Sequence, residues 1–279
     1  MRLFVTGSKG QLGRALERAA AERGDVFMGH DLPELDVTDA AAVHAAVRTA
    51  KPDAIINCAA FTAVDAAESE EERALAVNGT AVAHLAGAAD ETGAVLVQIS
   101  TDYVFDGMAD RAYREDDPVN PRSAYGRTKL AGEAAARAAR RHLVVRTAWL
   151  FGEGNNFVEA IRRQVKGGAA SLRVVADQRG CPTYAGDLAA ALLRLLETGA
   201  TGIVHAVNEG EATWFEFAEE IVRRLGSPAK VLPITTGEAA RPAPRPARAV
   251  LDTSRLRALL GGGMRPWQDA LGQYFRDRR

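Results

Sequence analysis

The chain is poor in cysteine, lacks long apolar runs and has no excess charge of either sign. Its 279 residues include two cysteines, Cys58 and Cys181. Two thiols so far apart in sequence make neither a disulfide framework nor a metal-ligand spacing, so both read as small buried or half-buried side chains. The opening segment "MRLFVTG" is far too short for a signal-peptide core. No stretch approaches the ~20 apolar residues of a membrane span, and a cytoplasmic protein is expected. The 35 Lys and Arg residues balance 36 Asp and Glu, for a formal charge of −1. That balance excludes a general field for nucleic acid or anionic lipid, so a bound anion must be held by a local device.

Short β-branched apolar runs alternate with longer Ala-rich amphipathic stretches. The runs are 3–6, 26–29, 54–59, 95–100 and 143–150, and helices are predicted over 11–23, 39–49, 68–91 and 124–141. The runs are nearly continuous in apolar character, as in strands covered on both faces. Such alternation implies an α/β fold with a parallel, doubly wound sheet over residues 1–150. Beyond residue 150 the pattern loosens. A helix is expected from near Asn156, a strand at "SLRVVADQ", a helix at "YAGDLAAALLRLLETG" and a strand at "TGIVHAV". A further helix at "TWFEFAEEIVRRLG" is capped by Thr213 with Glu216 three residues on. The segment 237–250, with Pro242, Pro244 and Pro246 among Arg241, Arg245 and Arg248, cannot be helix or central strand throughout. Residues 151–279 thus read mainly as a smaller mixed α/β lobe, some of whose elements return to the large sheet.

Gly7, Gly10 and Gly13 in "TGSKGQLG" follow the first strand and open the first helix. That is the context of a Rossmann-type dinucleotide loop. The first glycine allows the turn, the second lets backbone approach a pyrophosphate, and the third lets helix pack on strand. The free N–H groups of the helix start then hold phosphate. The spacing is G-x-x-G-x-x-G, not G-x-G-x-x-G. Asp31 ends the second strand run, where an acid would meet ribose hydroxyls and favour NADH, whereas Lys9 could meet a 2′-phosphate and favour NADPH. Both cofactors stay open. In "LDVTD", Asp36 could lie near the adenine, or Thr38 could cap the next helix.

Tyr125 and Lys129 stand four apart on a predicted helix and so share a face. A phenol is a poor acid–base catalyst at neutral pH unless something perturbs it, and a nearby ammonium is expected to lower its pKa. Lys129 could also bond a nicotinamide ribose. Ser100, Thr101 and Asp102 end the 95–100 run, at the strand ends where open α/β sheets bind ligands. A hydroxyl there can bond a substrate carbonyl, although Ser, Thr and Asp are also ordinary turn formers.

With these residues in hand, the chain resembles the extended short-chain dehydrogenase/reductase family, and within it the reductases of dTDP-4-keto-6-deoxyhexoses. The phrases that carry the likeness are "GSKGQLG", "NCAAFTAVDAAE", "VNGTAVAHLA", "STDYVFDG", "YGRTKLAGE", "RTAWLFG", "GNNF" and "DQRGCPT". The resemblance implies hydride transfer from NADPH or NADH to the C4 keto group of dTDP-6-deoxy-L-lyxo-4-hexulose. Tyr125 would be the proton donor, Lys129 its electrostatic helper and Thr101 the hydroxyl completing the carbonyl site. Gly10, Gln11 and Leu12 would meet the pyrophosphate, Asp31, Asp36 and Val37 the adenosine, and Ala59, Ala60 and Phe61 would flank the cofactor. Asp102 and Trp149 would line the sugar, with Asn155 and Asn156 at its nucleotide and Arg245 or Arg248 at the diphosphate. Some family members dimerise through a metal held by a glutamate shortly after the third glycine. Here Ala15 occupies that place, with Glu17 half a turn away, so no metal is expected, and the chain should be a monomer or weak homodimer. Two other functions stay open: reduction of another dTDP-4-keto-6-deoxyhexose, and a non-catalytic NADP-binding regulatory subunit.

Overall fold

The structure, a computed structural model, describes residues 1–278. The first half runs β1 (Arg2–Thr6), α1 (Gln11–Arg23), β2 (Val26–His30), α2 (Ala40–Ala50) and β3 (Ala54–Asn57). A short α3 (Val64–Ala67) leads to α4 (Glu71–Leu75), which passes through a π turn at Ala76–Thr80 into α5 (Ala81–Thr92). Next come β4 (Val95–Thr101), α6 (Ala124–Ala136) and β5 (His142–Thr147). The second half holds β6 (Leu150–Phe151), α7 (Phe157–Lys166), β7 (Ser171–Val175), β8 (Arg179–Gly180), β9 (Thr183–Tyr184) and α8 (Ala185–Thr198). It closes with β10 (Gly202–His205), β11 (Ala212–Thr213), α9 (Trp214–Arg224), β12 (Lys230–Ile234), α10 (Thr236–Ala239), α11 (Ser254–Leu260) and α12 (Trp267–Asp277).

Six strands form one parallel sheet in the order β10-β5-β4-β3-β1-β2. Alternate side chains face opposite layers. Leu3, Val5, Ile56, Val97 and Val145 pack with residues of α1 and α8. Phe4, Ile55, Leu96 and Val144 pack with residues of α2, α5 and α6. Each such side chain contributes ~1.5–3 kcal/mol by leaving water. This is the doubly wound sheet expected from the alternating runs. The chain reverses its direction of growth between β1 and β3, which opens a crevice at their carboxyl ends. The second lobe has its own core, built around Phe151, Phe217, Trp267 and Tyr274, with β7 and β12 paired in parallel.

Several local expectations fail for identifiable reasons. The run 143–150 is not one strand: Trp149 takes φ 44°, and Leu150 and Phe151 leave the sheet to pair with β9. A non-glycine residue in the left-handed region breaks a strand. The helix predicted to 141 ends at Ala136. Asp39, not Thr38, caps α2 by accepting from Ala42 N. Thr213 and Glu216 do form the expected capping box on α9. Among the described residues no helix is long and apolar enough to cross a membrane.

Candidate active site

The glycine loop closes over the β1/β3 crevice. Gly7 has φ 65°, and a β-carbon there would lie 2.6 Å from Ala59 N and 2.7 Å from Cys58 C. At Gly13 it would lie 2.5 Å from Gly7 O. Gly10 caps α1 without a side-chain bond, and no acid occupies the first turn. The first N–H groups of α1 are therefore presented with the positive end of its dipole, as an anion site requires. Asp31 binds the loop to the end of β2: its carboxylate accepts from Lys9 N and from Leu32 N, both at 2.9 Å. Lys9 Nζ is paired with Glu34 at 2.9 Å, both side chains largely exposed. Asp36 accepts from Thr38 N at 2.9 Å and Thr38 Oγ1 at 2.7 Å. Val37 offers its carbonyl to His84 Nδ1 at 3.3 Å.

Across the crevice, Ala59, Ala60 and Phe61 are half-buried. The buried Asn78, in the π turn, fixes Phe61. Its Oδ1 accepts from Phe61 N at 2.8 Å, and its Nδ2 donates to Phe61 O and to Thr128 Oγ1, both at 3.1 Å. Single π turns of this kind are frequent at functional sites. Helix α6 approaches so closely that a β-carbon at Gly132 would lie 2.1 Å from Asn78 O.

Helix α6 starts at the Ser123 cap, whose hydroxyl accepts from Gly126 N at 3.1 Å. Tyr125, Lys129 and Glu133 then recur every fourth residue and form one stripe. Lys129 is buried and donates from Nζ to Ile99 O at 2.7 Å. Burial draws its ammonium down to about 8, against the opposing charge of Glu133. Tyr125 is half-buried with its ring edge-on to Tyr103, centroids 5.5 Å apart. Burial, then the Asp102 charge, push the phenol up to about 12, against a lowering contact from Thr101. This corrects the expectation that Lys129 would lower the phenol. The ammonium is held by a backbone carbonyl instead, and Tyr125 keeps its proton at neutral pH. Asp102 is 2% exposed, and burial raises it to about 7. Its Oδ1 accepts from Thr101 Oγ1 at 2.9 Å, and its buried Oδ2 has no partner. Below these groups Glu133 meets the buried Arg146 through two 2.8 Å bonds and accepts from Ser100 Oγ at 2.5 Å. The ion pair ties α6 to β5, and the Ser100 bond ties it to β4.

The second lobe meets this region through Arg245 and carries its own cleft. Trp149 lies flat on Trp214, centroids 3.6 Å apart and planes at 7°. A cleft of 1040 Å³ runs between α7, β7 and the 236–245 segment, lined by Phe157, Val174, Trp214, Arg241 and Arg245 among others. Arg245 forms a two-pronged pair with Asp65 at 2.9 and 3.0 Å and lies near Tyr103, the ring that packs on Tyr125. Arg248 is turned instead to Glu211, at 2.8 and 3.2 Å, and does not line the cleft. Asn156 caps α7 and donates from Nδ2 to Gly152 O, Gly154 O and Gln11 Oε1, while Asn155 accepts from Arg163. Tyr103, Trp214, Asp65 and Glu133 were not foreseen as site residues. Glu133 was visible as the third member of the every-fourth-residue stripe, and Trp214 as the first residue after the Thr213 cap.

A glycine loop at the switch point of a parallel sheet, with a Tyr/Lys stripe at its lip, defines a Rossmann-type NAD(P)-dependent oxidoreductase. More narrowly, the chain belongs to the RmlD substrate binding domain family, which matches it over residues 1–279. It is 46% identical to dTDP-4-dehydrorhamnose reductase of Streptomyces griseus, over 98% of this chain and 93% of that protein. It is also 46% identical to a probable dTDP-4,6-dihydroxy-2-methyloxan-3-one 4-ketoreductase of Streptomyces antibioticus, over 99% and 95%. The crystal structure of dTDP-4-dehydrorhamnose reductase from Bacillus anthracis in complex with NADP superposes with a TM-score of 0.95 at 36% identity, covering 99% of each chain.

Proposed function

We propose that the chain reduces the C4 keto group of dTDP-4-dehydro-β-L-rhamnose to give dTDP-L-rhamnose, using NADPH or NADH. The observation that carries this reading is the Tyr125 phenol, protonated at neutral pH and set beside Thr101 at the crevice where the glycine loop opens. The loop fits a dinucleotide: side chains are excluded at Gly7 and Gly13, and the start of α1 is uncapped. When bound, that cofactor supplies the hydride. Gly7, Gly10, Gln11 and Leu12 would hold its pyrophosphate, Asp31, Asp36 and Val37 its adenosine half, and Ala59, Ala60 and Phe61 its far side. Thr101, whose hydroxyl proton goes to Asp102 Oδ1 in the free protein, would turn it to the substrate carbonyl oxygen, and Tyr125 would give its proton to the alkoxide that forms there. Lys129 would supply positive charge as the phenolate appears. Asp102 and Trp149 would face the sugar, and Asn155 and Asn156 the nucleotide side. Arg245, at the cleft, would neutralise the diphosphate. The reading carries with it a cytoplasmic reaction by a monomer or weak homodimer, in which the metal-bridging position is Ala15, buried among α1 and α8 residues. The Streptomyces antibioticus relative favours a second reading, a different dTDP-4-keto-6-deoxyhexose at the same site.

The test is loss of reduced-cofactor absorbance with each keto sugar, followed by identification of the product. Tyr125→Phe should lower kcat by ~10²–10⁴-fold with dinucleotide affinity unchanged. A near-wild-type rate would refute the acid assignment.

A further inference from the structure

In the parallel sheet, Thr6, Asn57 and Gln98 lie directly opposite one another on β1, β3 and β4. The two preceding ranks are wholly apolar: Phe4, Ile55 and Leu96, then Val5, Ile56 and Val97. Three polar side chains, each at most 2% exposed, therefore interrupt the core just below the crevice. Such burial is unfavourable unless the groups bond one another. Here they form one directed chain. Thr6 Oγ1 donates to Asn57 Oδ1 at 2.6 Å, and Asn57 Nδ2 donates to Gln98 Oε1 at 2.7 Å. Gln98 Nε2 then donates to Ile99 O at 2.8 Å. That carbonyl is the one that receives Lys129 Nζ at 2.7 Å. β3 ends at Asn57, opposite Gln98, so this carbonyl lies beyond the end of the β3–β4 pairing. Hydrogen bonds aligned in one direction polarise each other, so the amide at the end of the chain is a stronger donor than an isolated one.

We propose that Asn57 and Gln98 are positioning residues for Lys129: by occupying one side of the Ile99 carbonyl, their amide chain limits how firmly that carbonyl holds the lysine. The inference rests on the function proposed above, in which Lys129 serves the reaction. Neither amide is placed against substrate or cofactor. Without the Gln98 donor, the ammonium would be the carbonyl's only side-chain donor. It would be held harder, its charged form would be favoured, and it would be less free to follow the charge that develops on Tyr125.

The test compares the wild type with the double variant Asn57→Leu/Gln98→Met, which removes both amides together and leaves Thr6 Oγ1 as the member of the chain that loses its acceptor. Dinucleotide binding reports that the variant is folded. The expected result is a kcat lowered about fivefold with the sugar KM within about twofold. The basic limb of the pH–kcat profile should move upward by at least half a unit. A merely structural role would leave that limb in place, so an unmoved or downward-moved limb overturns the proposal. Thr6→Val against Thr6→Ser gives a second reading in case the double variant does not fold. Val should show a smaller shift of the same sign, and Ser, which keeps the hydroxyl, should show none; equal behaviour of the two also overturns it. Lys129→Met separates the two levels. If that variant keeps full turnover, the role of the lysine itself fails. If it loses turnover while the double variant keeps a wild-type profile, only the positioning role fails.

Discussion

Asp102→Asn should change how stability depends on pH, in a direction set by burial. The folded protein holds this carboxyl at about 7, against an ordinary value of 3.8, because the group is buried and its Oδ2 has no partner. Between those values the folded state binds a proton that the unfolded state releases. Stability from this group is thus fully present below pH ~4 and falls as pH rises to ~7. A gap of about three units at ~1.4 kcal/mol each corresponds to about 4 kcal/mol, and water entering the pocket as the carboxylate forms reduces this to ~2–4 kcal/mol. Asparagine keeps the acceptor for Thr101 and does not titrate. Urea unfolding at several pH values from 4.5 to 8 would give ΔG for both proteins. The variant-minus-wild-type difference should rise by ~2–4 kcal/mol across that range and then level off. Taking the difference cancels His205, whose buried ring is lowered to about 3 and has the opposite sign, adding stability as pH rises. A difference that stays flat with pH would refute the argument that desolvation dominates at Asp102.

Gly13→Ala would push a β-carbon to 2.5 Å from Gly7 O and Ser8 backbone, so the loop must shift. Titration calorimetry should show dinucleotide affinity lowered about tenfold, or ~1.4 kcal/mol. Glu133→Gln leaves Arg146 buried with an uncompensated charge and should cost ~3–5 kcal/mol in denaturant unfolding. Glu133→Leu/Arg146→Met should recover more than half of that loss, and failure to recover would show that charge compensation is not what the pair provides.

Much of the large sheet was legible because its signals are local. The run 11–23 carries helical periodicity and ends at Gly24, which takes φ 72° at the helix stop. Thr213 and Glu216 spell their own cap. The break at Trp149 was not legible, because nothing in "LVVRTAWL" marks the left-handed residue. What fixes it is tertiary: the indole stacks on Trp214, 65 positions later in the chain, and fills the space beside Gly180. β12 was also missed; its "KVLPI" contains a proline and only gains strand geometry by pairing with β7. At the site, the Tyr125/Lys129 stripe followed from spacing alone. The partner of Lys129 did not, since a backbone carbonyl on another strand has no signature in sequence. The direction of the Tyr125 shift was misjudged for the same reason, because burial at this position depends on how the whole lip closes.

One consequence concerns how such a chain can diversify. β10 is drawn from the second half yet forms the outer edge of the large sheet beside β5, while α8 covers the face shared with α1. The two halves are threaded through each other like interlaced fingers. Exchanging one half wholesale with a relative's would leave a sheet missing a strand and a helix from its own fabric. New sugar preferences in this architecture should therefore arise from scattered single replacements along the cleft, not from shuffled segments.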